Sequence, residues 1–424
     1  MMMIIKEKIQ MLKRSKVVQN GAWLYVLQIF NTAIPLITLP YITRILGASQ
    51  YGVFSSSLNL IGYFQVVVEY GFNLSGARKI AMAKDEDEIS RIFSSIMASQ
   101  LLLCLISFFA MMIICFFINI TRNQFNCMVI LYLAVFGTAI EQIWLFQGLQ
   151  VMQFITIVSV FSRTISVVLI FVLVRNAEQV YLYCGLYAIT FLLIGIISLL
   201  IVILKLNVHF KKVTITDLFI EIKDGWYLFT TSAMTRIFSG IGITVLTFTS
   251  TNSNVGIYAA IQKIPLMLTM LYAPIGQAIY PYVSQHYASS FVEGINIVKK
   301  ISKFILPIVS ITSLIIILGS KTIINIVYGS EYSANSYLLI PLICWMVLGI
   351  LNNLLGIQVL VASGHLREYS TAFRIGVIAI VILNIVFGVF GKIYGVAIAA
   401  MLAELTLTIA IIFQIRKIKR KILG

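Results

Sequence analysis

Long apolar runs separated by short polar connections repeat along the chain between residues 18 and 415. Most runs reach or exceed the roughly 20 residues that a helix needs to cross the hydrocarbon core of a bilayer. The pattern predicts twelve membrane-spanning helices, at 18–43, 53–77, 92–118, 127–150, 154–174, 181–204, 226–250, 256–284, 302–326, 336–362, 370–391 and 395–415. The predicted fold class is therefore an all-α integral membrane protein.

The composition excludes a soluble protein of ordinary type. Of 424 residues, 60% are apolar and 11% are charged, whereas soluble domains have about 45–50% apolar and about 25% charged residues. Twelve spans occupy most of the chain and leave only short connections. A separate soluble catalytic domain has no place in such a chain.

Basic residues collect on one side of the predicted spans. The formal net charge is +16, and twenty-two Lys and Arg lie in the two tails and the even-numbered connections, against five on the opposite side (Arg44, Arg122, Arg175, Lys321 and Lys392). The positive-inside rule places both termini in the cytoplasm. Topology thus accounts for most of the excess charge, and a nucleic-acid partner is not expected.

The two halves of the sequence resemble each other. Gly21 and Gly52 recur as Gly225 and Gly256, each pair offset by 204 residues. Two copies of six spans each have the same orientation, so a pseudo-twofold axis along the membrane normal relates them. The predicted organisation is an N-terminal six-helix lobe (1–204), a cytoplasmic connection (205–225) and a C-terminal six-helix lobe with a basic tail (226–424).

Enzyme and metal motifs are not found in the sequence. It has no GxSxG, HExxH or glycine-rich phosphate loop,. The five cysteines and three histidines are too widely spaced for metal ligation, and the cysteines are typical of buried small apolar residues,. The acidic run at 85–88 stands beside basic residues and is expected to be a solvated charge cluster. The chain is predicted not to be an enzyme and to hold no metal.

Seven of the ionisable residues inside predicted spans are candidates for function, because a charge in a span costs several kcal/mol unless it faces a partner or a watery cavity. They are the cations Arg163, Arg236, Lys263 and Arg374 and the carboxylates Glu69, Glu141 and Glu404. Four cations against three anions predict a slightly positive interior, suited to an anionic ligand. Arg374 lies near a span end, from which it can reach the surface.

The predicted depth of the other cations in the membrane is compatible with either an ion pair or a ligand-binding role. Arg163 and Glu141 lie at similar depth on neighbouring spans, so Arg163 either pairs with Glu141 or binds a ligand. In the same way Arg236 either pairs with Glu404 or binds a ligand. Lys263 precedes Pro265 in a proline-rich span, and freed backbone groups are tolerated in membranes where a cavity is lined. Lys263 is therefore the favoured cavity-facing cation.

An ion gradient is the expected energy source, because the sequence has no nucleotide-binding loop. A carboxylate in mid-membrane can take up H⁺ or Na⁺ on one face and release it on the other. Glu404 and Glu69 are the candidates for ion coupling once Glu141 is assigned to Arg163. No cofactor other than this coupling ion is expected.

Two segments carry a resemblance to a known family. LPYITRILGASQYGVFS (39–55) and EYGFNLSGARKIA (69–81) closely resemble the opening of the polysaccharide-biosynthesis flippases, the O-antigen (Wzx-type) translocases of the MATE-like flippase (MOP) superfamily. Weaker matches are WLFQGLQVMQFIT (144–156), VGIYAAIQKI (255–264), IYPYVS (279–284) and VYGSEY (327–332). The resemblance therefore covers most of the chain.

The resemblance implies two six-helix lobes around a central cavity that opens alternately to each face. The implied cargo is an undecaprenyl-diphosphate-linked oligosaccharide, moved from the cytoplasmic to the outer leaflet of the bacterial inner membrane. Membrane lipids and other polysaccharide-assembly membrane proteins are the implied partners. Arg78 stands in the family's GARK-like position, which adds it to Lys263, Arg236 and Arg163 as a substrate-binding candidate.

Two alternative functions stay open at this point. A multidrug or cation antiporter of the same superfamily would favour an anionic or aromatic cavity. A membrane-embedded polysaccharide polymerase would need a large outer loop, and none of the predicted outward connections exceeds about ten residues.

Overall fold

The computed structural model describes residues 16–118 and 120–423. Within these residues every regular element is helical. The α-helices, numbered in chain order, are α1 (Lys16–Glu69), α2 (Phe72–Met82), α3 (Glu86–Phe117), α4 (Arg122–Ala139), α5 (Ile143–Gly148), α6 (Met152–Leu173), α7 (Val180–Lys205), α8 (Ile215–Thr249), α9 (Asn252–Ser289), α10 (Phe291–Leu318), α11 (Ser320–Tyr328), α12 (Ser330–Ser333), α13 (Leu339–Asn352) and α14 (Leu366–Leu423). A π-helix, Asn353–Val361, follows α13.

Nine helical stretches of the described chain are long and apolar enough to cross a membrane. Two are far longer than one crossing requires: Gln19–Met82 has 64 residues and Leu366–Ile422 has 57, against about 20 for one span. The chain is therefore a multi-pass membrane protein, and its all-helical class agrees with the sequence prediction.

The two longest helices each contain a backbone break. In α1, Gly47 has φ 68° and ψ 170°, a conformation open almost only to glycine. In α14, Lys392 has φ 48° and ψ −131°. The carboxylate of Glu331 accepts hydrogen bonds from the Ala48 N–H at 3.1 and 3.2 Å, next to the first break. Both breaks fall in connections that the hydropathy pattern predicts.

Polar caps fix where several helices begin. Thr121 and Gln124 form a capping box at the start of α4: the Thr121 hydroxyl accepts from the Gln124 N–H at 3.3 Å, and the Gln124 side chain accepts from the Thr121 N–H at 3.1 Å,. The Asp85 carboxylate accepts from the Glu88 N–H at 2.7 Å at the start of α3. Such caps satisfy N–H groups that the first helical turn leaves without partners.

Some helix bounds differ from the hydropathy prediction. The predicted span 53–77 ends at Glu69, because Tyr70 and Gly71 take positive φ values of 44° and 79°. The predicted span 127–150 consists of α4 and the short α5. Much of the predicted connection 205–225 is helical, since α8 begins at Ile215. Hydropathy detects the apolar part of a helix, whereas caps and turns set its ends.

The described residues form two compact units. The first contains the described residues up to Thr38 together with Ser57–Arg236, and the second contains Leu39–Ser56 and the residues from Ile237 onward. The core of the first unit includes the fully buried Trp144, Phe72 and Phe93. In the second unit, one cluster surrounds Leu360 and Ile411, and another surrounds Val283 and Val298.

Gly52 and Gly256, which are 204 residues apart in the sequence, lie against each other inside the second unit. An added Cβ on Gly52 would overlap the carbonyl oxygen of Asn252 and stand 2.9 Å from the Gly256 nitrogen. An added Cβ on Gly256 would overlap the carbonyl oxygen of Ala48 and stand 2.8 Å from the Gly52 nitrogen. The contact is reciprocal, and only residues without a Cβ permit two helices to approach this closely.

Candidate functional site

Arg236, on α8, packs against one face of α1. Its Nη2 donates to the main-chain oxygen of Asn59 at 2.6 Å and to Asn59 Oδ1 at 3.3 Å. The guanidinium carbon lies 5.3 Å from the centroid of the Tyr63 ring, a cation–π distance,. An added Cβ on Gly62 would overlap the guanidinium. A glycine in α1 thus makes the space in which Arg236 lies.

Glu69 is further along the same face of α1. Its Oε1 accepts a hydrogen bond from Gln65 Nε2 at 2.8 Å. Glu69 also interacts electrostatically with Arg236 and with Glu141. Positions 59, 62 and 69 recur at helical spacing, so one stripe of α1 brings these groups to a single surface of the first unit.

Arg163 and Glu141 extend this cluster without forming an ion pair. The two side chains interact electrostatically, yet no nitrogen–oxygen distance within 4.0 Å joins them among the ion pairs of the described residues. Arg163 Nε is buried without a hydrogen-bond partner in the described chain. The interpretation of Arg163 as the structural partner of Glu141 therefore lacks the close contact that it requires.

Tyr187 connects the two arginines, because it interacts electrostatically with both Arg163 and Arg236. We call the set Arg163, Arg236, Glu69, Glu141 and Tyr187 the arginine cluster. Its four charged members are all partly accessible. Two cations and two carboxylates balance in formal charge, so the positive excess predicted for the interior does not arise within this cluster.

Glu404 belongs to a different polar group, in the second unit. It is 7% exposed, and its Oε2 accepts a hydrogen bond from Asn352 Nδ2 at 2.6 Å. The Thr408 hydroxyl donates to Asn352 Oδ1 at 2.7 Å, which directs the amide nitrogen of Asn352 toward Glu404,. Glu404 and Arg236 lie in different compact units, and each has partners within its own.

Lys263 and Arg78 lie outside both groups. Lys263 is exposed on α9. This helix runs unbroken from Asn252 to Ser289 through Pro265, Pro274 and Pro281, so the prolines do not divide it. Arg78 is exposed on α2, and the neighbouring Lys79 forms ion pairs with Glu221 at 2.8 Å and Asp224 at 2.9 Å.

The acidic run at 85–88 has a structural role. Asp85 caps α3. Asp87 pairs with Arg91 at 3.3 Å and with Lys211 at 2.6 Å. In the part of the chain that the structure describes, no three His, Cys, Asp or Glu side chains are grouped to hold a metal ion.

Several residues of these groups were not predicted from the sequence. Asn59, Gly62 and Tyr63 hold Arg236, and Asn352 and Thr408 hold Glu404. The residues around Arg236 could have been found from the sequence, since polar and small residues recur along one face of α1. Asn352 and Thr408 are single polar residues in apolar helices, a pattern that also occurs in ordinary helix packing.

Comparison with known proteins gives one family and several relatives. The family described as polysaccharide biosynthesis protein matches residues 17–287. A protein of Escherichia coli (strain K12) named as an O-antigen transporter is 29% identical over 409 residues, which cover 95% of this chain and 97% of the relative. A protein of Shigella dysenteriae with the same name is 23% identical over 405 residues, which cover 95% of this chain and 100% of the relative.

Solved structures share the fold at low sequence identity. Lipid II flippase MurJ, in an inward closed conformation, matches with a TM-score of 0.74 at 14% identity, over 94% of this chain and 87% of its own. A multidrug resistance MATE family transporter of the MOP superfamily, in an inward-facing conformation, matches with a TM-score of 0.62 at 15% identity, over 92% of this chain and 99% of its own. These likenesses confirm the MATE-like part of the predicted fold class.

Proposed function

The chain belongs to the polysaccharide biosynthesis protein family, and from this premise we propose that it is a flippase for lipid-linked polysaccharide units. The proposed cargo is an undecaprenyl-diphosphate-linked O-antigen repeat unit. The proposed direction is from the cytoplasmic to the outer leaflet of the bacterial inner membrane, by alternating access. Two full-length relatives named as O-antigen transporters support this choice of cargo.

The observation that carries the proposal is the guanidinium of Arg163. Arg163 is partly accessible as a residue, and its Nε has no hydrogen-bond partner among the described residues. A guanidinium offers donors in a fork that matches phosphate oxygens. Glu141 and Tyr187 interact with Arg163 electrostatically, without a hydrogen bond to its Nε. A diphosphate would supply the acceptors that the protein does not.

Arg236, Lys263 and Arg78 are the further proposed contacts for the cargo. Arg236 is already hydrogen-bonded to Asn59, so its role would be to supply charge beside Arg163. Lys263 and Arg78 are exposed on α9 and α2, where an anionic headgroup can reach them. Lysine and arginine near a membrane surface attract anionic lipids.

The proposed architecture is twelve spans in two lobes, 1–204 and 226–424, joined by 205–225. Nine stretches of the described chain qualify as spans, two of them contain a break that would divide each into two, and α8 lies outside those nine with 35 residues. Dividing the two broken stretches and adding α8 to the nine gives twelve spans. The reciprocal contact of Gly52 and Gly256 supports a duplicated origin. The distribution of basic residues supports cytoplasmic termini.

Coupling to H⁺ or Na⁺ through Glu404 and Glu69 is proposed as the energy source. Each carboxylate has one neutral amide as hydrogen-bond donor, Asn352 for Glu404 and Gln65 for Glu69. A neutral donor leaves the carboxylate able to bind a cation, which a tight ion pair would prevent.

A second candidate function is cation or multidrug antiport. The arginine cluster contains as many carboxylates as cations, and the fold is shared with a multidrug resistance transporter. A flippase is favoured because the family and both named relatives belong to polysaccharide assembly.

Deletion of the gene in its host separates the two functions. Loss of surface polysaccharide, with single lipid-linked repeat units accumulating on the cytoplasmic side, is the result expected for a flippase. Plasmid-borne wild-type protein should restore export, and Arg163→Ala, present at normal abundance, should not. Intact surface polysaccharide together with raised drug sensitivity in the deletion strain would overturn the flippase and favour the antiporter.

A further inference from the structure

An apolar cavity of about 690 Å³ lies in the second unit, along α9 and α10, the two helices that meet at Ser290. Leu271 and Ile275 line it from α9, Phe304 and Ile308 from α10, and Ile350 from α13. The volume is within the range of about 300–1,000 Å³ that is usual for ligand pockets. Phe304 is 73% exposed and Ile308 is 51% exposed, so the cavity opens sideways to the surroundings of the helices.

One end of this cavity is cationic. Lys300 lines it, and Lys299 and Lys303 flank Lys300 on the same helix. All three lysines are exposed, and none has a carboxylate within 4.0 Å among the described residues. The helical rise from Lys300 to Thr312, at the other end of the lining, is about 18 Å. One leaflet of hydrocarbon is about 15 Å thick.

The shape and the charge of the cavity together indicate which class of ligand it binds. A cation at one end of an apolar channel, as long as one leaflet, matches a lipid with an anionic phosphate headgroup and an extended acyl chain. The cavity lining contains no Asn, Gln, Asp, Glu or Arg. Apart from Lys300, the polar side chains of the lining are Tyr272, Tyr282 and Thr312 among mostly aliphatic residues, so the lining fits an acyl chain better than the saccharide of a lipid-linked cargo,.

We infer that this cavity is a binding site for an anionic glycerophospholipid of the bilayer, with its phosphate at Lys300 and one acyl chain along Ile275 and Ile308. Phosphatidylglycerol represents this class. The site is separate from the arginine cluster, which lies in the other compact unit. It does not depend on the proposed transport function, because a flippase or an antiporter could hold such a lipid.

Native mass spectrometry of the delipidated full-length protein in detergent tests the site. Phosphatidylglycerol and phosphatidylcholine with identical acyl chains are titrated separately. The wild type should bind phosphatidylglycerol more tightly. Lys300→Gln should weaken phosphatidylglycerol binding about fivefold, the equivalent of about 1 kcal/mol per lysine, and weaken binding of the zwitterionic phosphatidylcholine less. Lys300→Arg should keep the preference.

Matched variants separate the headgroup from the chain. Ile308→Trp fills the cavity and should abolish binding of both lipids. Ile311→Trp, on the same helix and 61% exposed but outside the lining, should bind like the wild type. Lys321→Gln, an exposed lysine on α11, is the matched charge control.

Three results would overturn the assignment. The first is equal affinity of the wild type for the two lipids, and the second is unaltered binding in both Lys300→Gln and Ile308→Trp. The third is preferential retention of an added lipid-linked saccharide over phosphatidylglycerol, abolished by Ile308→Trp. That third result would show that the cavity binds the transported cargo and not a lipid of the bilayer.

Discussion

Gly52 and Gly256, which are 204 residues apart in the sequence, touch each other through their backbones. A Cβ on Gly256 would stand 2.8 Å from the Gly52 nitrogen, and a Cβ on Gly52 would stand 2.9 Å from the Gly256 nitrogen. The two glycines that the sequence pairs by their 204-residue offset therefore mark the place where α1 and α9 cross.

Alanine at either glycine should destabilise the protein. In a helix, Gly→Ala normally stabilises by about 0.5–1 kcal/mol. Here the added methyl would overlap the carbonyl oxygen of Asn252 or Ala48, and overpacking typically costs about 1–3 kcal/mol. Gly52→Ala and Gly256→Ala should each lower the midpoint of heat-induced aggregation, measured by fluorescence-detected size-exclusion chromatography.

Gly21→Ala is the control for this pair, since nothing lies within 4 Å of a Cβ added there. Its aggregation midpoint should equal or exceed that of the wild type. Midpoints for the Gly52 and Gly256 variants that match the Gly21 variant would contradict the close helix contact.

Hydropathy predicted the all-helical class and most spans because an uninterrupted apolar run of about 20 residues is typical of a membrane-spanning helix. It could not locate the end of α1 at Glu69, since that end depends on Tyr70 and Gly71 adopting positive φ. It also placed α8 too late, because the polar first turns of that helix carry no membrane signal.

The space beside Gly62 should control the position of Arg236. Gly62→Ala places a methyl where the guanidinium lies, so Arg236 should lose its hydrogen bond to Asn59 and its contact with Tyr63. Polysaccharide export should then fall at least tenfold, close to the loss in Arg236→Ala, while Arg236→Lys keeps part of it because the charge remains. Surface polysaccharide per unit of membrane protein is the measurement.

Gly185→Ala in α7 is the comparison for this variant. The nearest atom to a Cβ added there is 3.9 Å away. Export should stay at the wild-type level in that variant. Normal export in both Gly62→Ala and Arg236→Ala would remove Arg236 from the transport mechanism.

Arg163 and Glu141 should behave as weakly coupled residues. Buried ion pairs that lose one partner typically cost about 3–5 kcal/mol. Because these two side chains are not within ion-pair distance, Arg163→Gln and Glu141→Gln should each leave the amount of folded protein near that of the wild type. Arg163→Gln should still abolish export.

A double-mutant cycle on folded protein in the membrane checks this weak coupling. The two single effects should add in Arg163→Gln/Glu141→Gln. Strong losses in both single variants that the double variant reverses would restore the structural pair.

Lys263 tests the role of an exposed cation. Removal of an exposed side chain usually changes stability by no more than about 0.5 kcal/mol. Lys263→Ala should therefore keep its abundance and lose polysaccharide export, if the ammonium meets the diphosphate. Lys223→Ala, another exposed lysine, should export normally. Wild-type export in Lys263→Ala would exclude Lys263 from substrate binding.

The sequence predicted which charged residues are important, but it did not predict which groups surround them. Each in-span cation or carboxylate stands out because charge is costly in hydrocarbon. Which groups surround it depends on helix rotation and on small residues such as Gly62, and hydropathy reports neither. The sequence therefore indicated Arg236 and Glu404 as special but left open a mutual pair, whereas Asn59 and Asn352 are the hydrogen-bond partners observed.

The Glu404 site gives the sharpest test of ion coupling. Asn352 donates to the carboxylate at 2.6 Å, and Thr408 orients the Asn352 amide through a hydrogen bond of 2.7 Å. In Glu404→Gln the new amide oxygen can accept the same hydrogen bond, so the fold should be preserved while the group can no longer bind H⁺ or Na⁺. Asn352→Leu removes the donor and should leave a buried carboxylate unsatisfied, at a cost of about 1–3 kcal/mol or more.

Transport into vesicles under imposed H⁺ and Na⁺ gradients should distinguish these effects. The wild type should respond to one gradient, and Glu404→Gln, at normal abundance, should transport at the same rate with and without it. Asn352→Leu should be less abundant, which separates a structural loss from a coupling loss. Glu69→Gln keeps its contact with Gln65 and reports on the second carboxylate. Full gradient response in both glutamine variants would remove these carboxylates from the coupling mechanism.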